Sequence, residues 1–117
     1  MVHRLGLDRL FLSVKPDEVR SILVRLADDL DTDLTRNRIE AFCAELPDEG
    51  SEDDPLLEAE VLHEGRPVPL VFEYIRDSES GDELMILGPP PVVEQVQQRI
   101  SSLHGEGSLR LIPAERE

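Results

Sequence analysis

RPVPLVFEYIRDSESGDELMILGPPPVVEQVQQRISSL, residues 66–103, decides the fold. It reads as a strand, a tight polar turn, a second strand, a rigid break and an amphipathic helix. Val68, Leu70, Phe72, Tyr74 and Arg76 share one parity of the first strand, and Pro69, Val71, Glu73 and Ile75 share the other. Both sets are mostly apolar near the middle, which predicts a central strand covered on much of both faces. Pro67 and Pro69 have no N–H to donate, so the start of this strand cannot pair fully on both edges. Asp77-Ser-Glu-Ser-Gly-Asp82 supplies turn chemistry, with Gly81 free to take positive φ. Leu84-Met-Ile-Leu87 is an apolar run of strand length.

Gly88-Pro-Pro-Pro91 ends that run, because proline cannot donate to a ladder and holds the chain extended. It reads as a rigid joint, with Gly88 supplying whatever unusual angle the exit requires, because a side chain there would clash. Pro91 can open a helix, where its missing N–H costs nothing. Val92, Val93, Val96, Ile100 and Leu103 then fall on one helical face. His104-Gly105 is a C-terminal stop, and Ser108-Leu-Arg-Leu-Ile112 a last short strand.

Outward from this stretch, Leu5 to Val14 reads as a strand. Lys15-Pro-Asp-Glu18 is a helix start, with proline in the first turn and two acids near the N-terminus. Val19, Ile22, Leu23, Leu26 and Leu30 follow at helical spacing, which predicts a helix over 16–30. Ile39, Phe42, Cys43 and Leu46 repeat the pattern with Thr35 as cap, giving a second helix over 35–46. A strand is the rival reading for that segment, because it leads towards hairpins. Residues 47–55 form a long acidic loop bounded by Pro47 and Pro55. Leu57 to His63 alternates less cleanly, with Leu57, Ala59, Val61 and His63 on one parity and Glu58 and Glu60 on the other, a wet face, and Glu64-Gly-Arg66 turns it into the core strand. The tail 113–117 is polar. The expected architecture is α+β: one domain over residues 1–117, a single mainly antiparallel sheet of about five strands, and two or three helices on one face. The closing strand–helix–strand unit requires a right-handed crossover if its strands run parallel.

The chain carries 26 acidic and 12 basic residues, a formal net charge of −14. That excess repels a phosphate backbone and argues against nucleic acid. It suits a basic protein partner drawn in by electrostatic steering. Eleven of the twelve basic residues are Arg, only Lys15 being Lys, a skew that also fits a GC-rich bacterial-like genome or a salt-rich cytoplasm. No apolar run of about eighteen residues and no leader-like start is present, so no membrane association is expected. The single Cys43 cannot form an internal disulfide, which favours a reducing cytoplasm.

No motif specifies catalysis. Asp29, Asp31, Asp33 and Glu40 resemble positions 1, 3, 5 and 12 of an EF-hand calcium loop. Leu34 stands where that loop needs Gly, and Arg36 and Arg38 put positive charge beside the ion's place, so a solvated turn is the better reading. His3, His63, His104 and Cys43 lack the close pair that zinc sites carry. No Gly-x-Ser-x-Gly elbow activates a serine. Gly88 and its three prolines stand where a phosphate loop would place N–H donors. No cofactor or metal is expected, and no enzymatic activity. The composition points to a small acidic protein-binding module of adaptor, chaperone or immunity type. The expected contact surface is a wet sheet face or edge together with Asp28, Asp29, Asp31, Asp33, Asp48, Glu49, Glu52, Asp53 and Asp54. The alternative is a small-molecule-binding or regulatory domain with an apolar pocket between sheet and helices.

Overall fold

The computed structural model describes residues 7–46, 55–78, 81–104 and 109–112. Along the chain run β1 (Asp8–Ser13), α1 (Pro16–Asp29), α2 (Arg36–Glu45), β2 (Leu56–His63), β3 (Arg66–Ser78), β4 (Gly81–Gly88), α3 (Pro90–His104) and β5 (Leu109–Ile112). The fold is α+β, one antiparallel sheet with three helices, and the strands lie in the order β2-β3-β4-β1-β5. β2, β3 and β4 form a meander. β1 is inserted between β4 and β5 and pairs antiparallel with both, so β4 and β5 run parallel, one strand apart.

Local sequence accounts for each element. α1 begins at Pro16 behind Lys15, whose backbone N–H donates to the Glu18 carboxylate at 2.9 Å. This occupies a donor that the first helical turn leaves free. The segment 36–45 is helix and not strand. Thr35 caps it, its hydroxyl accepting from the Arg38 N–H at 3.2 Å. The β2–β3 hairpin turns on Glu64 and Gly65, with φ of 53° and 78°. Two successive positive φ values match the right-handed twist of the flanking strands, and the first is carried by a non-glycine residue.

Registers show which side chains share a face. Leu57, Phe72, Ile86 and Leu10 stand opposite one another across β2, β3, β4 and β1, and Tyr74, Leu84 and Leu12 form the next row. All seven are buried and join Val19, Ile22, Leu23 and Leu26 of α1, Ile39 and Phe42 of α2, and Val92, Val93, Val96 and Ile100 of α3 in one cluster. The helices therefore cover this face. Tyr74 brings the cluster's one phenol, and its hydroxyl donates to Asp82 Oδ2 at 2.6 Å.

Four expectations need correction. The second face of β3 is not covered: Val71, Glu73 and Ile75 are only half-buried, because the described helices all lie on the other side. β1 stops at Ser13, and β4 starts at Gly81 rather than Leu84, since the hairpin carries pairing to Ser78↔Gly81 across a register shift. α3 starts one residue early, at Pro90, and the Pro89 carbonyl accepts from the N–H groups of Val92 and Val93. At Gly88 the expected clash is present, but no positive φ accompanies it. A Cβ there would stand 3.0 Å from Leu70 Cδ1 and 3.3 Å from the Pro69 carbonyl oxygen. Pairing of β3 with β4 begins only at Val71, beyond both strand prolines.

The packing at this joint sets expected stabilities. Val96→Ala should cost about 1–3 kcal/mol through lost burial and a residual cavity. Gly88→Ala should cost about 1–3 kcal/mol through overpacking against the buried Leu70. Pro89→Ala should cost less than about 1 kcal/mol, through the freer unfolded chain alone. Urea melts of the three variants check this order.

Candidate functional site

The face away from the helices is built by the alternate residues of the same strands. One row across it is Leu56, Glu73, Met85 and Phe11; the next is Glu58, Val71, Leu87 and Arg9. Phe11, Val71, Ile75, Met85 and Leu87 are each half-buried, and Leu56 and Leu62 on β2 are 50% and 49% exposed. Scattered single apolar residues on a surface are ordinary, whereas a contiguous set on one face makes it a candidate contact surface.

The outer edge of β2 is not bare. Leu62 N–H donates to the Asp31 carbonyl at 2.8 Å, and Asp33 N–H donates to the Glu60 carbonyl at 3.1 Å. Glu60 N–H donates to Asp33 Oδ1 at 2.8 Å, and the Thr32 hydroxyl donates to the Glu60 carbonyl at 2.7 Å. Arg38 Nη2 donates to the Glu58 carbonyl, and Arg38 Nη1 lies 3.5 Å from Asp33 Oδ2. The segment Asp31–Asp33 thus straps the strand edge and occupies donors and acceptors that would otherwise recruit another strand.

Between strap and open face lies a groove of about 520 Å3 lined by Asp33, Arg38, Glu58, Ala59, Glu60, Pro67, Pro69 and Val71. Prolines and Val71 give it an apolar floor, and three carboxylates with one guanidinium line its wall. Arg38 is engaged by Asp33 and by the Glu58 carbonyl. Among the described residues, the side chains of Glu58 and Glu60 form no ion pair. The groove therefore offers surplus negative charge beside an apolar surface.

The acidic residues named from sequence are dispersed. Asp28 and Asp29 are exposed at the end of α1, Asp31 is exposed in the strap, and Asp33 is both strap and groove wall. Asp48, Glu49, Glu52, Asp53 and Asp54 lie outside the described residues. Of the EF-hand-like set, Glu40 is held by Arg20, Nε to Oε1 2.9 Å, and Asp33 by Arg38. Among the described residues no three His, Cys, Asp or Glu side chains are gathered to hold a metal ion. Sequence reasoning missed Glu58, Glu60, Pro67 and Pro69 as a unit. The signal available was that Glu58 and Glu60 share a parity and that their hairpin places them beside the prolines.

Cys43 is free and buried on α2. Burial pushes its thiol pKa above the ordinary value; nearby Arg20 opposes the shift and Glu40 adds to it. Among the described residues, no helix is long and apolar enough to cross a membrane. Neither a protein-family model, nor a curated protein, nor a solved structure matches the chain.

Two outcomes are expected. Thr32→Val removes the bond to the Glu60 carbonyl and the one accepted from the Leu34 N–H, and Asp33→Ala removes the bond from the Glu60 N–H and the pair with Arg38; each should cost about 1–3 kcal/mol, on the order of two hydrogen bonds. Amide exchange at Glu60 should quicken in Asp33→Ala, which removes the oxygen its N–H donates to. For Cys43, a folded pKa raised above the unfolded one favours folding while the thiol keeps its proton. That contribution is full below the ordinary thiol pKa and is lost as pH rises through the raised value. Alkylation by iodoacetamide near neutral pH should be at least tenfold slower in the folded protein than in urea, because the thiolate is the nucleophile and the thiol is covered.

Proposed function

We propose that this chain is a small acidic protein-binding module without catalytic activity, and that its partner docks on the open sheet face. The observation that carries this reading is the contiguous half-exposed set Phe11, Val71, Met85 and Leu87 on the side the helices leave uncovered. Leu56 lies in the same row as Met85, and Leu62 further along β2, giving the surface exposed apolar ends. The region between sheet and helices supports a structural role more than a ligand pocket. Leu10, Ile86, Leu84, Val96 and Ile100 all stand at 0% exposure there, filled by side chains of this chain itself. The acidic balance favours a basic partner and disfavours nucleic acid. The same reading assigns the protein to the reducing cytoplasm, where its buried free thiol stays unpaired.

The test is differential capture. The wild-type protein, a face variant (Leu56→Ser with Leu62→Ser) and a helix-side variant (Arg25→Ser with Gln98→Ser) serve as baits in the same lysate. A protein captured by the wild type and the helix-side variant, and lost from the face variant with unchanged melting temperature, is the expected result. Capture that survives the face variant and disappears with the helix-side variant places docking elsewhere and overturns the reading.

A further inference from the structure

The groove beside the strap narrows the chemistry of the partner. We propose, resting on the docking reading above, that it receives an arginine side chain from an amphipathic segment of the partner protein. The aliphatic stem lies on Pro67, Pro69 and Val71, and the guanidinium sits between the carboxylates of Glu58 and Glu60. Neighbouring apolar residues of the segment extend onto the half-exposed Leu87 and Met85.

Three observations carry this. First, the groove of about 520 Å3 is lined by both apolar and acidic residues, and the strand register sets Glu58 opposite Val71 and Glu60 opposite Pro69. Long cationic side chains have the matching construction, an apolar stem with a charged head. Second, Glu58 and Glu60 are exposed and two apart on β2, so they point to the same face. Strand geometry sets them roughly 7 Å apart at the backbone. A planar guanidinium with donors on both sides spans two such carboxylates, whereas a compact ammonium reaches one at a time. Third, the groove wall already holds a guanidinium of this chain. Arg38 is gripped by the Asp33 carboxylate and the Glu58 carbonyl, and this leaves the Glu58 and Glu60 carboxylates without an ion pair among the described residues. The charge of −14 attracts a basic segment from a distance and repels an acidic one.

Fluorescence anisotropy with labelled synthetic peptides tests the assignment. The probes are twelve-residue amphipathic peptides with leucine on one face and arginine, lysine or glutamate on the other. The full-length wild type is compared with Glu58→Gln/Glu60→Gln and with Asp17→Asn/Glu94→Gln, which removes the same charge from the exposed helix side. The arginine peptide should bind the wild type at least threefold tighter than the lysine peptide and at least tenfold tighter than the glutamate peptide. The groove pair should weaken arginine-peptide binding at least tenfold, the helix-side pair less than threefold. Equal losses in both pairs would mean that only net charge is read, and the assignment falls. Failure of all peptides, alongside a captured partner that still needs Leu56 and Leu62, overturns the arginine assignment while the docking reading stands. Loss of that dependence on the face overturns both. A dimer in sedimentation velocity, dissolved by Leu56→Ser with Leu62→Ser, would give the face to a second copy and also overturn the assignment.

Discussion

β1 lies between β4 and β5, and the rest of the structure depends on that placement. Leu10 and Leu12 at its centre are 0% and 1% exposed, opposite Ile86 and Leu84. The residues that pair with β1 lie at 83–88 and 109–112, the far end of the chain. The sheet is therefore incomplete until the chain has returned, and the contacts that close it are long-range ones, costly in loop entropy and slow to form. Because β4 and β5 flank β1 in parallel, the link between them must cross over the sheet, and α3 is that crossover. Gly88 and Pro89–Pro91 serve this demand. The chain leaves β4 against Leu70 with little room for a side chain, and the helix starts two residues later.

Three helices on one face of a sheet leave the other face to solvent or to a partner. In a one-sided sheet the wet face is normally polar, with clean alternation along each strand. β2 follows that rule at its centre, with Glu58 and Glu60 facing out between buried Leu57, Ala59 and Val61, and departs from it at the outward Leu56 and Leu62. β3 and β4 depart from it, placing Val71, Ile75, Met85 and Leu87 outward. Those residues are half-buried although the described helices all lie on the opposite face. The docking proposed above rests on these residues.

The same departure made part of the fold hard to read. Helices α1, α2 and α3 were legible because apolar residues recur at helical spacing and the caps Lys15-Pro16 and Thr35 are local signals. The β2–β3 hairpin was legible from Glu64-Gly65. The one-sided cover was not, because Val71 and Ile75 make β3 look apolar on both faces, and a strand buried twice gives the same pattern as a strand with a sticky open face. Of the site, sequence gave the outward acids without their arrangement. Asp33 reads as a free carboxylate, yet it accepts the Glu60 N–H across 27 residues of sequence separation. Only the sheet's register shows that this acid is structural while Glu58 and Glu60, whose side chains form no ion pair among the described residues, remain available.

Acidity in this chain therefore has two distinct uses. Asp31–Asp33 spends its polar groups on the β2 edge, through two backbone bonds, one hydroxyl and one carboxylate. A strand edge closed in this way resists pairing with a second strand at β2. On the face beside that edge the charge stands next to aliphatic surface. An interface of that composition takes its affinity from apolar burial and its selectivity from the carboxylates, which penalise any partner bringing like charge to the same place. The strap and the face are in this sense complementary: closing the edge removes the least selective way for another chain to bind β2, and leaves the route on which side-chain chemistry decides.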